Sequence, residues 1–396
     1  MSSWRLSQFR AGDVVEVRSE AEILATLDEQ GCVDGLPFMP EMLAFCGRKM
    51  RVRAVAHKTC ETIYKTYVAR RMDRAVHLVG ANCDGSAHGG CQADCALFWK
   101  DVWLKPATLT RSVSEDPTLT RSVSEDPTLT RSVSEDSSAT RSVSEDSSDS
   151  SLTLRVSVPQ LVQLTLRPSS TPEQPLYQCQ TTQLVAATAP LAWWNVRQYF
   201  RDWRTGNWKL RSMAVVLWLA LLKWLLRITP IGWRLVKAMR EKMHRWLLGR
   251  SAPDFAGQIP AGQRTQPGSL HLQVGELVRV KTKEEIEQTI TVENKNRGLN
   301  FDSEMVPYCG QVLRVRAVVW QILDEETGRM IHFKQPSILL EGSVCSSIYS
   351  DCRLLCPRAL PNFWREAWME RVEEPAAVSD AASVRGDVAV EEPAAT

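Results

Sequence analysis

GLPFMPEMLAFCGRKMRVRAV, residues Gly35–Val55, returns 263 residues further on as GLNFDSEMVPYCGQVLRVRAV, residues Gly298–Val318. The same offset lays AGDVVEVRSEAEI (Ala11–Ile23) on VGELVRVKTKEEI (Val274–Ile286). Identities fall at Gly12, Phe38, Glu41, Met42, Cys46, Gly47 and Val52–Val55. Beyond these blocks HLVGANC pairs with LLEGSVC, and FWKDVWL with FWREAWM, after small changes in length. One register held over separate blocks is the mark of a duplication. Two homologous units are therefore expected, over residues 9–107 and 270–372.

Within the first unit, Val14, Val15 and Val17 read as a short strand after a Gly-Asp turn. Ser19-Glu-Ala-Glu is a capping-box pattern, and Ile23, Leu24 and Leu27 follow at helical spacing. A Gly/Pro-rich loop leads to expected strands at Met50–His57, Ile63–Ala69, Val76–Ala81 and Phe98–Leu104. About five short strands with one helix give a β-rich α+β class, with each unit a small half-open β-barrel of SH3-like or OB-like type.

The region between the units changes composition three times. From Thr108 to Ser151 the decapeptide TLTRSVSEDP repeats and degrades; its low apolar content predicts a disordered spacer. Residues 152–192 regain strand-like patterning at Leu152–Val156 and Leu161–Leu166 and read as a partly ordered connector. Residues 193–250 form a basic, Trp-rich segment, followed by a Pro/Gly/Gln linker (251–269); an acidic tail, expected to be disordered, closes the chain (373–396). Arg197–Arg250 holds thirteen Lys/Arg against two acids, although the whole chain carries a net charge of only +2. Eight of the fourteen tryptophans lie between Trp193 and Trp246. Such separation of charge points to an anionic partner, either an acidic protein or an anionic membrane surface. Met213–Leu222 is apolar, but Lys223 interrupts it well short of the ~20 residues that span a bilayer. Lys223, Arg227, Arg234, Lys237, Glu241 and Arg245 then share a helical stripe, with Trp224, Leu225, Leu235, Met239 and Trp246 outside it. An interfacial amphipathic helix, with Trp218, Lys223, Trp224, Arg227, Arg234 and Trp246 as its surface, competes with a helical hairpin docked on the units and with a membrane span.

The N-terminus MSSWRLSQFRAGD lacks the apolar run of a secretory signal, so a cytoplasmic location is expected, with peripheral attachment to the inner face of the membrane as an option. In a reducing compartment eleven cysteines argue for metal binding or thiol chemistry over a disulfide framework. Cys83, Cys91 and Cys95 stand in one glycine-rich loop, CDGSAHGGCQADC, and Cys60 stands beyond another strand. Convergence of the two loops would give four thiolates, the ligand count of a structural zinc site, with His88 and His57 in reserve. An iron–sulfur cluster and unliganded thiols are the other readings. The second copy keeps Cys345, Cys352 and Cys356 but has Leu323 in place of Cys60, so its site is weaker and would need His332. Cys46 and Cys309 read as small core residues. A Cys-dependent enzyme, with Cys91 as nucleophile, His88 as base and Asp84 or Asp94 as orienter, and a nucleic-acid-binding barrel remain as alternatives.

The two units resemble a family of uncharacterised bacterial proteins. Its signatures are GLxFxxEMxxxCGxxxRV, CDGSAHGGCQxxC with FWKxxWL after it, and a second-copy CPRAxxxxWRExW. Here they stand at Gly35–Val52, Cys83–Leu104 and Cys356–Trp368. The central WWNVRQYFRDWRTGN is similar to a segment of that family as well, so the likeness covers most of the chain outside the repeat and tail. It implies domain identity, no particular reaction, and an accessory role beside biosynthetic enzymes. The expectation is a metal-binding, non-catalytic adaptor.

Overall fold

The computed structural model describes residues 4–63, 69–107, 156–228, 233–249, 252–349 and 354–372; the side chains of 226–228, 233, 247 and 248 are outside that description. The decapeptide repeat and the acidic tail lie outside the described residues. Contacts divide the chain into two units. The first comprises Met1–Met243, Gln321–His332 and Ser346–Leu360; the second comprises His244–Trp320, Phe333–Cys345 and Pro361–Thr396.

In the first unit β1 (Val14–Val17) leads to Ser19, which caps α1 (Glu20–Leu24); the Glu22 carboxylate accepts from the Ser19 N–H at 2.9 Å and completes the box. Burial of Ile23, Leu24 and Leu27 fixes this short helix, which is too brief to persist alone. A hairpin of β2 (Cys32–Val33) and β3 (Leu36–Pro37) turns through Asp34 and Gly35, both at positive φ as a two-residue loop requires. After a 3-10 turn over Pro40–Phe45 come β4 (Lys49–Val55), β5 (Lys58–Cys60), β6 (Ala69–Arg71), β7 (Ala75–Leu78), β8 (Trp99–Lys100) and β9 (Leu104–Pro106). The main sheet is antiparallel, in the order β8-β7-β4-β1-β9.

The sequence differs from this in three places. The strand expected over Phe98–Leu104 is broken by a 3-10 turn at Asp101–Trp103, because Asp101 is turned inward to accept from Ser7 Oγ (2.6 Å) and the Gln8 N–H (2.9 Å). Of the strand expected at Ile63–Ala69, only β6 from Ala69 onward is seen, and residues 64–68 lie outside the described residues. In the connector, 152–155 lie outside them too, and the strand expected at Leu161–Leu166 is instead helical from Val158. There α2 (Val158–Gln163) carries Pro159 in its first turn and buries Leu161, while Gln160 Oε1 takes the Ser157 N–H at 2.8 Å. Helical spacing of Leu161 and Leu164 outweighs the local β-propensity. The rest of the connector reaches β10 (Ala189–Pro190), which joins β5 and β6 in a three-stranded sheet.

The Gln180 side chain is hydrogen-bonded to both main-chain polar groups of Phe98: Oε1 accepts the N–H at 2.8 Å, and Nε2 donates to the carbonyl at 2.9 Å. Beyond it are α3 (Arg197–Arg204), α4 (Leu210–Ile228) and α5 (Trp233–Leu248). Among the described residues no helix is long and apolar enough to cross a membrane.

The second unit repeats the element order. It contains β11 (Leu277–Val280), α6 (Lys283–Glu287), a hairpin of β12 (Lys295–Asn296) and β13 (Leu299–Asn300), and most of the longer β14 (Val312–Leu323) and β15 (Met330–Val344), of which residues 321–323 and 330–332 belong to the first unit. Strand β16 (Pro361–Trp364), a 3-10 turn at Glu366–Trp368 and β17 (Met369–Arg371) complete it. Its sheet order is β16-β15-β14-β11-β17, each strand in the place of its counterpart above. In both cores a Phe meets two Trp rings edge-on: Phe38 with Trp99 and Trp103, and Phe301 with Trp364 and Trp368. The chain is thus sheet-rich α+β, and among the described residues none of its antiparallel sheets closes into a barrel.

Candidate metal centre

The loop Cys83–Cys95 is closed at its neck. Asn82 bridges Ala96, and the Cys83 N–H donates to the Cys95 carbonyl at 2.8 Å. Inside it, Asp84 Oδ1 accepts from the Ser86 N–H at 2.9 Å, and the Gly85 carbonyl accepts from the N–H groups of His88 and Gly90. Gly85 is obligatory on two counts: its φ is +72°, and a Cβ there would lie 2.0 Å from the Cys91 carbonyl oxygen. Segment 321–332 holds the loop from outside, with Gln321 Nε2 donating to the carbonyls of Gly89 and Gly90 and the Leu323 N–H reaching Cys91 Sγ at 3.3 Å.

Wound in this way, the loop turns His88 inward beneath the 3-10 turn that carries Glu41. Cys83 Sγ lies 3.2 Å from Glu41 Oε1 and 3.6 Å from His88 Nε2, and His88 Nδ1 lies 3.4 Å from Glu41 Oε1. Among the described residues this is the one trio of Cys, His, Asp or Glu groups with all ligand atoms within 4.8 Å of each other. The side chains of His88 and Glu41 are 1% and 3% exposed. Two of their polar atoms, Glu41 Oε2 and His88 Nδ1, are buried without a hydrogen-bond partner. Orphans of that kind cost about 1–3 kcal/mol each unless something occupies the site.

Burial works against charge throughout. It pushes the Cys83 thiol far up, helped by the Glu41 carboxylate, and raises the Glu41 carboxyl itself. It lowers His88 to about 4, against the opposing pull of Asp84, so the imidazole is neutral at pH 7 with a lone pair to offer. A cavity of about 30 Å³ adjoins the trio, lined by Cys83, His88, Cys91, Cys95, Cys179 and Glu325, among others. That is room for an ion or a couple of waters. Burial also raises the thiols of Cys91, Cys95 and Cys179.

Of the four expected thiolate ligands, Cys83, Cys91 and Cys95 share this cavity and Cys60 does not line it. Cys60 sits on β5 opposite Ala69, and its carbonyl accepts from buried Arg358. His57 lies elsewhere too, 3.2 Å from Asp202. Sequence reading missed three participants: Glu41, whose only signal was its recurrence as Glu304; Cys179, which no spacing ties to the loop; and Glu325. In the second copy Cys352 lies outside the described residues and His332 is exposed on β15. His332 and Cys356 belong to the first unit and Cys345 to the second, and no described cluster gathers them. Cys46 and Cys309 pack against their respective cores, and burial raises both thiols, Cys309 to about 12.

The central helices also depart from expectation. Met213, Val216, Leu219 and Leu222 bury one stripe of α4, and Trp218 and Trp224 face outward. Lys223 turns inward and donates to the Tyr349 carbonyl at 3.1 Å, so it is not part of an open basic face. The side chain of Arg227 lies outside the described residues. Arg234 and Trp246 are exposed on α5.

No protein-family model matches the chain, and neither does any curated protein.

Proposed function

We propose that this is a zinc-binding, non-catalytic accessory protein whose first unit holds the ion between Glu41, Cys83 and His88. The observation that carries this reading is the 3.6 Å from Cys83 Sγ to His88 Nε2. A tetrahedral zinc, with Zn–S near 2.3 Å and Zn–N near 2.0–2.1 Å, sets sulfur and nitrogen about 3.5–3.6 Å apart. Glu41 Oε1 is placed to serve as the third ligand, and the adjoining cavity leaves room for water as the fourth. An iron–sulfur cluster is less well served, because of the four cysteines that line the cavity only Cys83 belongs to the tight trio.

The same three groups also suggest a thiol nucleophile with a histidine base and a carboxylate orienter. One feature favours metal over that reading: Glu41 touches the thiol itself as well as the imidazole, making a triangle where a catalytic relay is a chain.

We read the common strand order of the two units as descent from one ancestral unit, a small half-open barrel. The second unit keeps the carboxylate as buried Glu304 and the thiol as Cys345 without a gathered trio, so one zinc per chain is expected. A reducing cytoplasm fits the free thiols around the cavity. Elemental analysis of purified full-length protein tests the proposal. One equivalent of zinc should be present, retained in Cys60→Ser and lost in Cys83→Ser and His88→Ala. Equal zinc in Cys83→Ser and the parent would rule the site out.

A further inference from the structure

Helix α3 is amphipathic in the reverse of the usual sense. Its polar residues point into the first unit: Gln198 and Asp202 are buried, and Thr205 beyond the helix continues the stripe. Asp202 Oδ2 accepts from Lys58 Nζ at 2.6 Å, and its Oδ1 lies 3.2 Å from His57 Nε2. The Asn207 side chain bonds both the N–H and the carbonyl of Val55. With that face so committed, Val196, Phe200 and Trp203, at spacings of four and three, must face outward. Phe200 is 56% exposed and Trp203 50%, and the preceding turn adds Trp193 at 59% and Trp194 at 68%. The aromatics are not loosely held. The Trp193 carbonyl accepts from Gln198 Nε2 and Tyr199 Oη, and the rings pair as Trp193–Trp194 and Phe200–Trp203.

Exposed charge along this stretch of chain has a single sign. Arg197, Arg204, Lys209 and Arg211 are exposed among the aromatics. From Trp193 to Lys223 the one acid is Asp202, and it is withdrawn completely from the surface. A cationic rim around several outward indoles is the composition that seats at the headgroup level of an anionic bilayer, where an indole has an apolar body and a polar N–H. An acidic protein groove would match the charge but would leave unexplained four large aromatics exposed on the helix and the turn before it.

We propose that the face made by Trp193, Trp194, Phe200 and Trp203, with Arg197 and Arg204, docks the protein on an anionic lipid bilayer. It lies on the surface and does not cross it. The proposal is independent of the metal centre, since none of these residues lines that cavity.

The test is co-sedimentation of the full chain with vesicles of phosphatidylcholine, with and without phosphatidylglycerol, at low and high salt, alongside tryptophan emission. The protein should bind only the phosphatidylglycerol vesicles, with a blue shift, and release in high salt. Arg197→Glu with Arg204→Glu should weaken binding at least about thirtyfold, since each basic side chain near such a surface adds about 1 kcal/mol. Phe200→Ser with Trp203→Ser should weaken it too and reduce the blue shift; both pairs are exposed, so an unchanged melting curve confirms the fold. Absence of vesicle binding, binding equal on neutral vesicles, or binding indifferent to both double variants would overturn the proposal. So would a dimer that the Phe200→Ser/Trp203→Ser variant dissolves in the absence of lipid binding, which would identify a second copy as the occupant.

Discussion

Phe38 meets Trp103 edge to face with 5.2 Å between ring centroids, and Phe301 meets Trp368 in the second unit at 5.4 Å in the same manner. All four side chains are buried. Truncation of either Phe to Ala should cost about 3–5 kcal/mol in the unit that contains it, through lost burial and the cavity left behind. Urea unfolding followed by tryptophan emission measures this. A loss under about 1 kcal/mol at either position would mean that the trio is not the centre of that core.

Zinc affinity should rise with pH. The Cys83 thiol must give up its proton to bind, and burial together with Glu41 holds that proton on well above neutrality. Near pH 7 binding should therefore release about one proton from Cys83, and more as pH falls below the raised Glu41 range. Competition with a chromophoric chelator across pH gives the slope, and a flat profile would exclude Cys83 as a ligand.

The Lys58–Asp202 pair is buried on both sides, at 2.6 Å. Replacing one partner strands the other charge, so Lys58→Met or Asp202→Leu alone should destabilise by about 3–5 kcal/mol, while the double variant should recover most of that loss. Denaturant midpoints of the four proteins form the cycle. Additive losses would show that the two groups do not depend on each other.

Between about pH 6.5 and 3, His77 should take up a proton only when the first unit opens. Burial, with help from Arg53 and Arg358, lowers it to about 3, and its Nδ1 lies 3.0 Å from the Leu97 carbonyl, which requires the Nδ1–H tautomer. An unfolded chain takes up that proton near pH 6.5, and the folded chain does not until near 3. Stability is therefore full above about 6.5 and falls progressively as pH drops toward 3, by about 3–5 kcal/mol from this residue. His77→Phe should flatten the acid limb of stability against pH. An unaltered limb would place the acid sensitivity elsewhere.

Local chemistry was legible in the sequence where it acts over a few residues. Ser19 with Glu22 announced α1, the paired blocks announced a common element order, and CDGSAHGGCQADC announced a tight, glycine-rich loop. Tertiary placement was not legible. Nothing in AHKTC shows that Arg358 would stand beside Cys60, and nothing in QCQTTQ shows that Cys179 would return to the loop across a long insertion. Lys223 looked like part of a basic stripe because helical spacing reports direction around an axis, not which direction is covered. The α3 face was missed for a related reason. Patterning assumes that apolar residues go inside, and here Lys58 and His57 had already claimed the polar side.

The clip between Gln180 and Phe98 joins two stretches of chain separated by the decapeptide repeat. With Leu161 and Leu184, it makes residues 156–192 part of the first unit's core although they follow that insertion. A polypeptide ending at Ala107 therefore lacks a wall that a second one, starting at Val156, supplies. Expressed as two pieces, 1–107 and 156–396 should behave as a split protein whose reassembly is read out by the burial of Leu161 and Leu184, with the repeat as the place at which to divide it.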